Sequence, residues 1–544
     1  MATTSPALIS PAGLRALSAK EQLQRAAALN CVAEGAGKPT CVGQVFVGIF
    51  FDGTGNNKKL DFDEPPPEKR KHTNVVKLFQ AFPDDRRNGY FPFYVPGVGT
   101  PFPEIGDSNK YYIGPNRGSM GAERAEDRII WAFTRLINAP HHYVTGALLI
   151  TAEQAKAIAN SLASTTNPAG MRRLALQTWQ DKLKAALQGK KPEVKMINLS
   201  VFGFSRGAAQ ARAFANWLFE VCTPEGSGWT FAGIPIRLQF LGIFDTVASV
   251  GLTNLMDNGV LRGHQSWADD NMEIHPAIEQ CVHYVAAHEV RACFPLDSVR
   301  VKSSYPPNAT EVMYPGAHSD VGGGYAPGDL GVSPRPQDSI SIVPGLRMYQ
   351  EARKSGVPLQ AWGQLDKQVQ DGLTPSPEVI ADFNDYHRAA RVPEAPVEAM
   401  HRQHMGLYFS YRFKIRGEFI HRSPFKTAPS TDQGYLARTQ AAFMERLASM
   451  RGGNPLDAKF DPGVAAVHHR RVVTATGAAP GVADRHLLEV AERINVLDVS
   501  PAIERFCERY IHDSMAGFIG MGLDEYAANN IGIVKFRTVF RGND

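Results

Sequence analysis

No stretch of the 544 residues reaches the roughly eighteen consecutive apolar residues that a membrane-crossing helix needs. The opening run Met1-Ala2-Thr3-Thr4-Ser5-Pro6 lacks a basic start followed by an apolar segment, so no secretory signal is expected. A net charge of +4 is small for this length and carries no nucleic-acid signature. The local basic runs, Glu68 to His72 and Gly189 to Pro192, read as solvated loops. Cysteine is scarce: Cys31, Cys41, Cys222, Cys281, Cys293 and Cys507 are widely spaced and form no metal or redox motif. They are expected to be reduced and mostly buried, with Cys31–Cys41 pairing only in an oxidising compartment. The G-x-G at Gly53 and Gly55 lacks the third glycine of a dinucleotide fingerprint. There are no internal repeats and no low-complexity tracts. What remains, 43% hydrophobic and 21% charged residues, is ordinary globular composition, and the length suggests two or three structural units.

Against that background one pentapeptide stands out, Gly203-Phe204-Ser205-Arg206-Gly207. The approach from Val194 to Phe202 is β-branched and apolar, as a buried strand should be. The exit from Ala208 to Leu218 is rich in helix formers with an apolar stripe. A serine on a strand-to-helix turn with glycine two residues to either side fits a nucleophile elbow, where the turn leaves no room for side chains. The bland alternative is a glycine-rich loop, because the five-residue pattern recurs by chance. No other G-x-S-x-G occurs in the chain.

The partners decide between the two. In an α/β-hydrolase the acid and then the base follow the serine, each after a later strand. The strand-like run Ile236 to Phe244 ends in Asp245-Thr246-Val247, so Asp245 either orients an imidazole or caps the following turn. The short apolar run Val312-Met313-Tyr314 leads into a glycine-rich loop that carries His318. His401, His404 and His512 compete for the role of base, and His512 is the most serious rival; the strand-end context favours His318. The strand-like run from Val45 to Phe51 precedes the loop Asp52 to Asn57. Backbone amides of Arg206, Gly53 and Thr54 are the candidate oxyanion donors, whereas Asp52 and Asn56 suit a turn-shaping role.

Four blocks together resemble the bacterial α/β-hydrolase family that contains the first group of type VI secretion lipase effectors. They are Phe50 to Asn57, Gly203 to Ala208, Gly242 to Val247, and Pro315 to Tyr325, and they span about residues 44 to 325. The resemblance implies Ser205 as nucleophile, Asp245 as orienting acid and His318 as base. It implies a phospholipase acting on bacterial membrane lipids, and the serine mechanism itself needs no metal or other cofactor. It also implies delivery by the type VI apparatus to the target-cell periplasm, with a spike protein and a cognate immunity protein as partners. Which acyl chain is removed does not carry over.

The expected architecture is an α/β-hydrolase with a mostly parallel central sheet flanked by helices. Residues 1–43 read as a leader suited to docking, and 44–345 as the catalytic core with a helical insertion at about 144–190 that forms part of a cap. Residues 346–544 read as a mixed C-terminal region packing on that core. Within it, helices are expected around Pro377 to His387 and Gln433 to Met450, with the strand-like Gly406 to Phe413 between. Asn74 is the expected N-cap of a short helix ending near Phe82. The apolar, glycine-rich segment Met515 to Leu523 is either core or a membrane-contacting rim.

Overall fold

The computed structural model describes residues 2–543 except 12, 30–41, 109–123, 164–168, 249–263, 265, 451, 476–479, 521–522 and 525–531. Cys31 and Cys41 therefore lie outside the described residues. Cys222, Cys281 and Cys507 are buried free thiols and Cys293 is partly exposed.

Six strands run parallel: β1 (Val42–Phe51), β2 (Tyr90–Val95), β3 (Glu193–Phe204), β4 (Ile234–Phe244), β5 (Cys281–Ala286) and β6 (Ala309–Tyr314). Their spatial order is β2-β1-β3-β4-β5-β6. A short antiparallel hairpin, Thr223–Glu225 with Gly228–Phe231, extends the sheet at the start of β4. The order reverses direction between β1 and β3. In open α/β sheets, ligands collect beyond the carboxyl ends of the strands at such a switch point.

Alternation along each strand divides the sheet into two chemically different faces. Val45, Val47 and Ile49 of β1, Ile197, Leu199 and Val201 of β3, and Leu241 and Ile243 of β4 join one buried cluster. The helices Ala125–Thr145 and Arg206–Val221 cover this aliphatic face. The insertion helices Ala152–Leu162 and Ala169–Leu187 pack onto those two as an outer layer through Ala155, Ala159, Leu176 and Leu183. The opposite face presents Phe50, Phe202, Phe204, Phe240 and Phe244, with Phe50 and Phe202 stacked at 4.9 Å. Residues from Ile340 to Phe536 join that second cluster, so the C-terminal region is built onto the aromatic face. The N-terminal residues are also tied in: Thr3 is buried and donates to Glu311 Oε1 at 2.8 Å, and Ile9 belongs to the aromatic cluster.

Two local expectations change. Gly406 to Phe413 is not a strand but lies within the helix Val397–Lys414. Its near-continuous apolar run is buried around most of its circumference, and such a run has no period that separates strand from buried helix. The cap of the helix Asn74–Ala81 is Thr73, whose hydroxyl accepts from Val76 N. Asn74 instead donates to the carbonyls of Val321 and Ser341, at 2.9 and 2.8 Å. The helix Ala125–Thr145 runs on through Pro140 and ends at Gly146, its left-handed cap.

Candidate active site

β3 delivers Ser205 with φ 58° and ψ −126°, a conformation that non-glycine residues rarely adopt and that marks stored strain. The strain is held by the turn itself. Ser205 N–H donates to Phe244 O at 3.0 Å, and Ser205 O accepts from Ala208 and Val247 N–H. A Cβ at Gly203 would stand 2.5 Å from Gly207 O, and one at Gly207 only 2.3 Å from Asp52 O. Both glycines of the pentapeptide are therefore demanded by backbone contact. The helix Arg206–Val221 starts immediately afterwards, so the Arg206 and Gly207 N–H groups at its positive end have no intrahelical acceptor.

The neighbouring strands end in register. Phe204 pairs with Phe244, which pairs in turn with Tyr284, and Ala286 pairs with Tyr314. Asp245 and the loop leading to His318 consequently reach the same edge as Ser205. His318 Nδ1 lies 2.5 Å from Asp245 Oδ2, and the two side chains are 4% and 0% exposed. A carboxylate only accepts, so Nδ1 carries the proton and Nε2 is left as the basic nitrogen of a neutral ring. The imidazole is clamped between Phe204 (4.6 Å between ring centres) and Phe294 (4.9 Å, edge-on). Its Nε2 has no hydrogen-bond partner, so the contact with Ser205 is not made in this state. Such contacts commonly tighten only around substrate.

Asp245 has a second partner that sequence inspection does not suggest. Arg537 donates to both carboxylate oxygens, at 2.7 and 2.8 Å, with no solvent exposure on either side chain. Ala286 N–H supplies a further bond at 2.8 Å. Burial alone would raise the Asp245 pKa, but the Arg537 charge and the His318 bond outweigh it and hold the group well below the carboxylate range. Burial is also the largest influence on His318, whose pKa lies below the ordinary imidazole value in spite of Asp245. Glu289, another buried carboxylate, receives Arg291 Nε and Nη2 at 2.9 and 2.8 Å, Ser514 Oγ at 3.1 Å and the His318 N–H at 3.3 Å. It anchors the backbone from which the imidazole projects. Neither Arg537 nor Glu289 sits in a recognisable motif, and only their spatial neighbours reveal them.

The rival histidines have other partners. His401 Nε2 bonds Glu289 O at 3.0 Å, and His404 Nδ1 bonds Tyr386 OH at 2.8 Å. His512 forms its own pair, Nδ1 to Asp320 Oδ1 at 2.6 Å, and stacks on Tyr325 at 3.8 Å. Of the oxyanion candidates, Arg206 has the helix-start position, whereas the Gly53 N–H donates to Asp52 Oδ1 at 2.8 Å. Thr54 follows in the same loop. Asp52 also accepts from Thr73 and Tyr94 hydroxyls, and burial raises it to about 7. These bonds give Asp52 a turn-shaping place.

A six-stranded parallel sheet, with a strained serine at the switch point and a buried histidine–aspartate pair on the same edge, defines an α/β-hydrolase arrangement. Residues 47–225 and 223–351 match the family described as the type VI secretion phospholipase effector Tle1-like catalytic domain. The match covers more than half of the chain, and the protein belongs to this family of phospholipase effectors. The crystal structure of an uncharacterized protein from Pseudomonas aeruginosa is similar over all of this chain and 85% of its own, at 25% identity and a TM-score of 0.77. The structure of the Tle1 effector bound to the VgrG spike of the type 6 secretion system aligns over 53% of each chain, at 22% identity and a TM-score of 0.27. No curated protein matches the chain.

Proposed function

We propose that the protein is a serine-dependent phospholipase of the A type that cleaves acyl esters of bacterial membrane phospholipids. The observation that carries this reading is the buried Asp245–His318 pair at 2.5 Å, on the edge where the elbow presents Ser205. In the proposed mechanism the substrate carbonyl settles over Ser205, and Nε2 of the neutral His318 takes the hydroxyl proton as Oγ attacks. Asp245 stays ionised, fixes the tautomer and stabilises the imidazolium. The oxyanion is received by the Arg206 N–H and by Thr54 of the β1 loop, since the Gly53 N–H is already engaged. Collapse transfers the proton from His318 to the leaving lysophospholipid oxygen. Water, activated by the same imidazole, then releases the fatty acid.

Membership of the type VI phospholipase effector family supports the lipid substrate and export by that apparatus. Docking on a spike protein, a periplasmic membrane target and neutralisation by an immunity protein belong to the same proposal. The C-terminal region, 346–544, is proposed as the cap of the 44–345 catalytic unit. Phe518, half-buried beside Phe294 at 5.6 Å, brings the segment after His512 close to the imidazole.

The test combines two readouts on purified protein. A fluorophosphonate probe should label the wild type and not Ser205→Ala, and thin-layer analysis should show lysophospholipid and fatty acid from vesicles only with the wild type. Hydrolysis by Ser205→Ala at even a tenth of the wild-type rate overturns the serine mechanism. Labelling with hydrolysis of short soluble esters alone overturns the phospholipid substrate.

A further inference from the structure

A second chemically distinct place lies beside the catalytic edge. It is a cavity of about 760 Å³, within the range of small-molecule sites, and neither Ser205, Asp245 nor His318 lines it. One part of its wall is apolar, formed by Phe62, Pro327, Pro336 and Ile342 among others. The other part gathers Arg70, His72, Lys77 and His512.

The electrostatics of that second part are unbalanced. Lys77 is only 5% exposed, yet its ammonium donates to nothing stronger than the amide oxygen of Asn74, at 3.0 Å. Among the described residues no carboxylate forms an ion pair with it, and burial pulls its pKa down to about 7. Buried charges are ordinarily paired, because desolvation of a lone ion is costly. His72 stands in the same corner: its Nε2 and the Lys77 Cδ both lie within 4 Å of where a Cβ on Gly372 would be. The His72 Nδ1 has no partner, and burial, followed by the charges of Lys77 and Arg70, holds that imidazole well below its ordinary range. His512 is 3% exposed. Its main-chain N–H and its Nδ1 are both spent on Asp320, which leaves the unpartnered Nε2 on the opposite edge of the ring. The carboxylate in the lining, Asp371, is engaged by Lys367.

We infer that this cavity is a binding site for an anionic amphiphile, with its charged head at Lys77 and Arg70 and its acyl chain along the apolar wall. The inference rests on the phospholipase reading only for the class of amphiphile. The buried Lys77 ammonium, which has no carboxylate partner among the described residues, and the Arg70 guanidinium specify the anion, and the adjoining apolar surface specifies the chain. The same chemistry is offered by the phosphate of a phospholipid and by the carboxylate of a released fatty acid. His512, which also lines the cavity, is held by Asp320, two residues beyond His318 on the same short helix, so the cavity wall and the proposed base share one element.

Binding is measured by calorimetry on the full chain carrying Ser205→Ala, so that nothing is turned over. The probes, each below its micelle threshold, are dodecyl phosphate, dodecanoate, the uncharged dodecyl maltoside, and inorganic phosphate. At least one anionic amphiphile should bind with one-to-one stoichiometry, ten times or more tighter than dodecyl maltoside or inorganic phosphate. Preference for dodecyl phosphate assigns the head site to lipid phosphate, and preference for dodecanoate assigns it to released acid. Adding Lys77→Met should weaken binding of the anion at least tenfold while raising the melting temperature of the unliganded protein, since the change removes a buried unpaired charge. Arg70→Gln, on the cavity rim, should weaken binding a few-fold and serves if Lys77→Met does not fold. Absence of binding by both anionic amphiphiles overturns the inference, as does equal binding of dodecyl maltoside or undiminished binding in a folded Lys77 or Arg70 variant. Failure of the serine mechanism would appear in the turnover of Ser205→Ala and leaves these binding results standing.

Discussion

Two buried histidine–aspartate pairs share the short helix His318–Gly322, which supplies the histidine of one and the aspartate of the other. Their geometries are nearly the same, 2.5 Å for His318–Asp245 and 2.6 Å for His512–Asp320, and each leaves Nε2 unpartnered. Their surroundings differ. The first stands at the carboxyl edge of β3 and β4, with its ring against Phe204, the residue before the strained serine. Its carboxylate is neutralised by Arg537. The second stacks on Tyr325, lines the cationic cavity, and its carboxylate is satisfied by the N–H groups of Ala317 and His512. A hydrogen-bonded histidine–aspartate pair is thus a general device for fixing a tautomer. What it is used for depends on what the free nitrogen faces.

The largest expected effect tests that distinction directly. His318→Ala should lose phospholipid hydrolysis as completely as Ser205→Ala, on the order of 10⁶-fold, with the double variant little worse, because triad members act as a unit. His512→Ala should stay within about tenfold of wild type, because the second pair faces the cavity and not the serine. An exchange of the two outcomes in a vesicle assay would transfer the role of base to His512.

Arg537 comes next. Arg537→Gln leaves the buried Asp245 carboxylate with only His318 and the Ala286 N–H as described partners, and breaking a buried ion pair in this way typically costs about 3–5 kcal/mol. Thermal or denaturant unfolding measures that loss. The more specific readout is the pH profile. Removing a cation next to the pair favours the imidazolium, so the acid limb of kcat/KM should move upward by about one pH unit. Arg537→Lys should restore part of both. An unmoved limb would make Arg537 a structural tie and not a positioning residue.

Acid should act more gradually. His288 accepts from Gly316 N–H through Nδ1, in the loop before His318, and burial lowers it to about 3. Burial lowers His401 and His387 to about 4. The unfolded chain takes up these protons first, near the ordinary value of about 6.5, so stability falls as pH drops from there towards 4. The melting temperature followed across that window should decline steadily. His288→Gln, which keeps an acceptor and cannot charge, should flatten the slope.

The smallest effect is expected from Asp320→Asn. It keeps the shape of the second pair, and hydrolysis should change no more than a few-fold, whereas Asp245→Asn should cost about 10⁴ through the wrong histidine tautomer. Comparable losses in the two variants would erase the difference between the pairs.

The parts of the fold legible in sequence were those with a local cause. The strand–turn–helix around Ser205 is written in β-branched residues, two glycines and a run of helix formers, and the contacts at Gly203 and Gly207 show why no other residue serves there. Asp245 and His318 were visible because each follows an apolar run that ends at the sheet edge. Gly406 to Phe413 misled because burial on most sides of the helix Val397–Lys414 erases the period that distinguishes helix from strand. Asn74 was the expected cap of its helix, but its contacts with Val321 and Ser341 engage its side chain elsewhere, and Thr73 caps instead.

The sequence by itself determined the parallel α/β frame, the strand–turn–helix around Ser205, and an aspartate and a histidine that follow later strands. These follow from periodicity and backbone sterics, which act over a few residues. Tertiary structure alone decided that the C-terminal segment would complete the sheet edge that carries Ser205, Asp245 and His318. Arg537 closes on Asp245 across 292 positions of chain, Ser514 on Glu289 across 225, and His512 on Asp320 across 192. It also decided that Lys77 would be buried without a carboxylate beside an apolar wall. Charge pairing and desolvation depend on which surfaces are brought together, and no spacing along the chain records that.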